Sequence, residues 1–235
     1  MLINLLQFAA RKFKGPDYTI DTSVPLSALL GFAFRRFISV VRSHLHTYGP
    51  VFGRPLIFIG RNVTLRNKSM IHMGRGITLG DNVLIDGLSI EGVTIQDNVS
   101  IGPYTIIEAT GVITSIGKGC SIGKNSGLGA FSFIGAAGGV AIGSDVIMGQ
   151  RVSFHSENHH FENTDIPIRA QGVSRQGITI EHNCWIGANV VFLDGAHVGS
   201  GCVIGAGAVV RGHIPANSIA VGIPARVVKN RESKQ

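Results

Sequence analysis

Three histidines, His155, His159 and His160, stand within six consecutive positions, with Glu157 and Asn158 between them. A neutral imidazole can take a proton from a hydroxyl, and a carboxylate or carbonyl on its second nitrogen can fix the tautomer. Three neutral imidazoles can instead surround zinc. Histidines on a surface loop can also be chemically idle, so what presents the cluster decides between these readings. The three cysteines, Cys120, Cys184 and Cys202, offer neither a zinc-finger pair nor a disulfide framework. Gly117 to Asn125 lacks the glycine spacing and terminal hydroxyl of a phosphate loop.

The elements that must hold the cluster are legible as a period. From Ile180 the apolar residues Ile180, Ile186, Phe192, Val198, Ile204 and Val210 recur every sixth position. Glycine follows three of them at Gly187, Gly199 and Gly205. Small or β-branched residues precede most by two places: Cys184, Val190, Ala196, Cys202 and Ala208. Upstream, Ile116, Ile122, Leu128 and Ile134 keep the step, each followed by glycine. Ile142, Met148 and Phe154 resume it, and Ile95 and Ile101 belong to it. Ile59, Leu65 and Ile71 match less well. A step of six is neither the 3.6 of a helix nor the alternation of an isolated strand. It predicts an all-β solenoid, a coil of short parallel strands with one large side chain per hexad pointing inward. A hexad cannot bury its apolar face alone, so successive coils must stack. Asp81-Asn82, Asp97-Asn98, Lys124-Asn125 and His182-Asn183 suit corners where φ turns positive.

Two segments break the period. The first is residues 1–50, where apolar Leu26 to Phe34 is followed by Arg35 and Arg36 and then more apolar residues. It reads as one or two helices, too short in apolar run to span a bilayer. They would serve as a cap on the coil or as a membrane-surface contact. The second is residues 155–177, a polar insertion of the kind that carries function on a rigid scaffold. This gives three parts: an N-terminal helical segment at 1–56, the coil at 57–212 with its insertion, and a tail at 213–235 expected to end in a short helix. Trp185, the single tryptophan, should point outward beside inward Ile186.

Composition agrees. Glycine fills 32 of 235 positions, and charged residues make up 15% where about 25% is usual. With 44% apolar residues, general disorder is excluded, and so much glycine disfavours a helix bundle. The net charge of +7 fits nucleic acid, an anionic membrane face or a phosphorylated small molecule. Nucleic acid is disfavoured because the basic residues are dispersed and no aromatic platform alternates with them. Few cysteines point to a reducing compartment, hence a cytoplasmic protein. Met1 to Phe13 does not read as a secretory leader, since its basic residues follow the apolar stretch.

The recurring I-G-x-x-[small]-x unit, over roughly residues 57–212, resembles that of the hexapeptide-repeat acyltransferases. That resemblance implies a left-handed parallel β-helix, acetyl-CoA as co-substrate, no metal, and a homotrimer with sites between subunits. Its sugar-acetylating branch, the maltose- and galactoside-type enzymes, has a histidine at the entry to such an insertion, followed by I-x-x-N-x-W-I-G. Here these are Asn158-His159 and Ile180 to Gly187. His159 then corresponds to the catalytic base, with His155, Glu157, Asn158 and His160 as supporting or acceptor-binding residues. Gly187 and Ala188 match the oxyanion and pantetheine position, with Trp185 as interface or CoA wall. Gly205, Ala206, Arg211 and Arg226 match further CoA contacts. Where that branch uses an asparagine to hold the acceptor, Gly127 to Phe133 offers none, so the acceptor pocket is expected to differ. The N-terminal segment looks more like that of enzymes acting in surface-polysaccharide assembly, at the inner face of a membrane.

The function implied is O-acetylation of a saccharide hydroxyl. An N-acetyltransferase of an amino sugar nucleotide is the alternative. A β-helical carbonic anhydrase would need a third histidine about eighteen residues from the cluster. No histidine lies between residues 73 and 154, and His182 is out of register. An ice-binding or scaffold solenoid would show a row of identical outward residues, which is missing.

Overall fold

The computed structural model describes residues 56–231 without a break and, before them, 23–46 with positions 7, 8, 11 and 19–21. The helical expectation for the rest of the first fifty residues lies outside the described residues. Within them, one long helix, α1, spans Leu26–His46. Pro25 stands just ahead of it, where a fixed φ suits a first turn, and its carbonyl accepts the N–H of Ala28 at 3.0 Å.

From Ile57 the chain forms strands of two to five residues, and each third strand belongs to the same sheet. Three faces result. The first runs from Ile57–Ile59 through Gly127–Leu128 and Trp185–Ile186 to Ser218–Val221. The second runs from Thr64–Arg66 through Phe133–Gly135 and Ser153–His155 to Val209–Val210. The third runs from Ile71–Met73 through Val140–Ile142 and Ile178–Ile180 to His213–Ile214. Neighbouring coils pair in parallel register; Val191 lies beside Val209, three hexads on.

The sixfold step exists because one side chain per strand enters the axis. Ile122, Ile134, Ile186, Phe192, Val198, Ile204 and Val210 are all buried, and Phe154 stacks on Phe192 with ring centroids 4.8 Å apart. Ile116 does not follow its phase. It is exposed, because residues 110–118 bulge out of the coil and the next inward positions are Cys120 and Ile122. Asn82, Asn98, Asn125 and Asn183 all adopt positive φ, between 57° and 60°. Gly187 answers to crowding: a Cβ there would sit 2.4 Å from the Ala206 nitrogen of the next coil. All three cysteines are buried. Burial pushes the Cys120 thiol up to about 12, and Cys184 and Cys202 rise for the same reason. They pack and do not react.

Among the described residues the expected C-terminal helix is not formed. Arg226–Asn230 is a strand that turns back antiparallel on Ser218–Val221. Val227 and Val228 are β-branched, and the last coil offers an open sheet edge for them to pair with.

α1 lies against the first coil. Arg36 donates to the Thr78 hydroxyl at 2.8 Å and covers the Phe58 ring at 4.4 Å. Arg42 donates to the Ile59 carbonyl at 3.3 Å. No described helix is long and apolar enough to cross a membrane.

Candidate active site

The second-face strand Ser153–His155 delivers the first histidine. Its alternation buries Phe154 and turns His155 outward, against the Phe133 ring at 5.6 Å. Ser156 then turns the corner and is buried. Its hydroxyl donates to the Gly135 carbonyl at 2.8 Å and accepts the Gly138 N–H at 2.9 Å. Beyond it the insertion leaves the coil as a ribbon, Asn158–His159 pairing antiparallel with Val173–Ser174. The His160 N–H extends the ladder to the Gly172 carbonyl at 3.1 Å.

The ribbon is clamped at its root. Arg175 Nε meets Glu157 Oε2 at 2.7 Å, and the same guanidinium donates to the Ser115 hydroxyl at 3.0 Å and the Ser115 carbonyl at 3.2 Å. Both partners are mostly shielded, so this planar fork ties the two legs of the insertion to the 110–118 bulge. Asp194, also buried, accepts the Gln176 and Gly177 N–H groups at 2.9 and 2.8 Å, fixing the return leg. Glu157 thereby spends one carboxylate oxygen on Arg175. The rings of His159 and His160 are exposed, and that of His159 has no hydrogen-bond partner among the described residues. Asn158 is exposed beside it.

The expected donor-side residues gather at a different corner, between the first and second faces. Trp185 projects from the first face between Ile147 and Val203, 57% exposed. Gly187-Ala188 and Gly205-Ala206 stack one above the other at the end of that face, joined by the Gly207 N–H to the Ala188 carbonyl at 2.8 Å. Arg226 lies one coil further, opposite Val221. Arg211 does not join them. It follows Val209–Val210 and stands at the corner that bears the insertion. Among the described residues no three of His, Cys, Asp or Glu are grouped to hold a metal ion.

Sequence reasoning missed Ser156, Arg175 and Asp194, which set the ribbon's geometry. Asp194 could have been noticed as a charged residue two places before inward Ala196. It also missed Glu181, whose carboxylate accepts the Ser200 hydroxyl at 2.5 Å and N–H at 2.9 Å and meets His197 at 3.0 Å. These bonds, the Ser200 hydroxyl's foremost, hold its carboxyl down to about 2 and pin the start of the coil that carries Trp185.

The chain is similar to several known proteins. Residues 177–212 match the family described as bacterial transferase hexapeptide (six repeats), and residues 113–149 the hexapeptide repeat of succinyl-transferase. WbbJ of Escherichia coli K12, named for O-acetyl transfer in lipopolysaccharide biosynthesis, is 28% identical over 207 residues, covering 84% of this chain and 91% of that one. The galactoside O-acetyltransferase of the same organism is 37% identical over 91 residues, covering 37% of this chain and 42% of its own. Among solved structures, a variant of the N-acyltransferase AntD of Bacillus cereus, with a dTDP-amino sugar and coenzyme A bound, superposes with a TM-score of 0.51 at 19% identity. It covers 77% of this chain and 83% of that one, and shares the fold.

Proposed function

We propose that this chain is a hexapeptide-repeat transferase, an O-acetyltransferase that moves an acetyl group from acetyl-CoA to a saccharide hydroxyl in surface-polysaccharide assembly. The observation that carries this reading is the clamped ribbon, which breaks a regular prism to display the unpartnered imidazole of His159. In the reaction, one His159 nitrogen takes the proton of the acceptor hydroxyl. The hydroxyl oxygen forms its bond to the thioester carbonyl carbon, and a backbone N–H near Gly187-Ala188 meets the charge that develops on the carbonyl oxygen. The C–S bond then breaks, and the imidazolium returns its proton to the departing thiolate. Proton and charge balance, and no metal is required.

His159 and the Trp185 corner stand on opposite edges of the second face of one chain. This separation supports a homotrimer, in which the ribbon of one copy reaches the donor corner of the next. In the same reading the coil is left-handed, residues 57–212 with the 155–177 insertion form the catalytic body, residues 1–56 are a cap and residues 213–235 close the far end. His155 and His160, with Asn158, border the acceptor; Arg226 grips CoA phosphate.

The cap also supports contact with the inner face of a membrane. Leu29, Ala33, Arg36, Val40 and Ser43 of α1 turn toward the coil. Leu26, Leu30, Phe34, Phe37 and Val41 form a second apolar stripe on the outside, with Phe34 and Phe37 66% and 64% exposed. Residues 1–56 hold seven basic and two acidic residues, five of the chain's seven net positive charges. An apolar stripe on a cationic segment suits an anionic bilayer surface and opposes self-association. Replacing Phe34 and Phe37 together by serine is expected to weaken binding to phosphatidylglycerol vesicles by about tenfold or more in a sedimentation assay, with no effect on melting. Equal binding by the variant removes the membrane contact.

The activity itself is tested with labelled acetyl-CoA and a saccharide panel. Label that enters saccharide and is released by mild alkali identifies an ester. Alkali-stable label identifies an amide, as an N-acetyltransferase would form. Thioester cleavage that is indifferent to every saccharide overturns the assignment.

A further inference from the structure

At the corner between the first and second faces, six coils place a non-glycine residue in the left-handed region. These are Asn62, Asn82, Tyr104, Phe131, Arg151 and Asn189, with φ between 53° and 60°. Each N–H from Asn82 onward donates to a carbonyl of the preceding coil, as Tyr104 does to Asp81 at 2.9 Å and Phe131 to Pro103 at 2.9 Å. Asparagine is at ease there, and Asn62 and Asn82 use their amides to bond coil to coil at 3.2 Å. A bulky aromatic residue is not, because its Cβ crowds the backbone. Yet two successive coils carry Tyr104 and Phe131. Their rings stack with centroids 4.9 Å apart and planes 2° from parallel, each about half exposed. Packing does not call for them, since they lie outside the buried core.

Tyr104 closes one side of an open groove of about 630 Å³, whose other walls include Arg61, Asn62, Asp81 and Asn82. Arg61 and Asp81 are paired at 2.8 Å, so the groove presents planar polar groups and no unbalanced charge. On the other side of the stack, the second face carries Ile106 and Phe133 outward, and the Phe133 ring reaches His155 at the root of the ribbon. An apolar strip thus runs from the groove toward the proposed base.

We propose that the Tyr104–Phe131 stack and this groove form a saccharide subsite that holds sugar units of an extended acceptor away from the one being acetylated. A pyranose lays its C–H face on an aromatic ring and turns its hydroxyl edge to amides, carboxylate and guanidinium, which is the combination found here. An acyl chain would leave the polar wall unused. A phosphate would meet a guanidinium already neutralised by Asp81. The subsite deepens the O-acetyltransferase reading and rests on it for the class of ligand.

The test replaces both aromatics with the residue the corner prefers, Tyr104→Asn with Phe131→Asn, in the full-length chain. Wild type and variant are applied to an array of defined bacterial surface glycans from monosaccharides to hexasaccharides, with UDP as competitor, and both are melted. The expected result is retention of oligosaccharides by the wild type, about tenfold weaker retention by the variant, and a Tm at or above that of the wild type. Equal retention, a lowered Tm with retention intact, or no retention by either protein overturns the subsite. Retention that UDP abolishes assigns the stack to a nucleotide and also overturns it. Acetyl transfer to the array is scored separately. Transfer with unaltered retention removes the subsite and leaves the activity, whereas aromatic-dependent retention without any transfer does the reverse.

Discussion

Replacing His159 with alanine is expected to lower acetyl transfer by about 10²–10⁴-fold, the usual worth of a general base. The melting temperature should stay within about 1 °C of wild type, because the ring is exposed and has no hydrogen-bond partner among the described residues. Half-saturation by acetyl-CoA should change far less than turnover, since a general base acts as the new bond forms and does not hold the donor. His155→Ala and His160→Ala serve as the comparison. His155 leans on Phe133 at the root of the ribbon, and in the proposed site His160 only borders the acceptor, so each should lose less than His159. Steady-state release of free CoA with and without acceptor measures all three. Undiminished turnover in the His159 variant would sink the assignment of the base.

The second large effect is on stability. Phe154 is fully buried, stacks on Phe192, and is followed directly by His155 and Ser156 at the root of the insertion. Phe154→Ala should cost about 3–5 kcal/mol through lost burial and an unfilled cavity. For a chain of this size that corresponds to a fall in Tm of roughly 6–20 °C. In a coil each layer touches only its neighbours, so the damage should concentrate where the ribbon is anchored. Hydrogen exchange should show faster opening of residues 133–135, 153–155 and 191–193 than of the first coils. A fall in Tm below about 2 °C, read by circular dichroism, would mean that the aromatic pair is not a keystone of the core.

The coil was legible because its physics is local and repetitive: one large inward side chain per strand, and asparagine or glycine where φ turns positive. Ile116 misled because its spacing imitates the phase, while the bulge at 110–118 takes it out of the coil. Val227 and Val228 followed a segment that reads as a tail, and only an open edge beside them made a strand. The histidine cluster was visible as composition. Its support was not, because Glu157 and Arg175 are brought together by closure of the insertion, and Ser115 lies 60 residues before Arg175. Tyr104 and Phe131 escaped notice for the opposite reason. They occupy corners where the local rules ask for asparagine, and only the stack shows what replaces it.

The reversed final strand has one more consequence. A parallel coil ends in a layer whose amides and carbonyls would accept another layer, and two such chains could in principle grow end to end without limit. Here Arg226–Asn230 folds back and occupies the first-face edge with its own exposed, partly charged residues. The first face thus carries its own terminator, which opposes end-to-end growth through that edge.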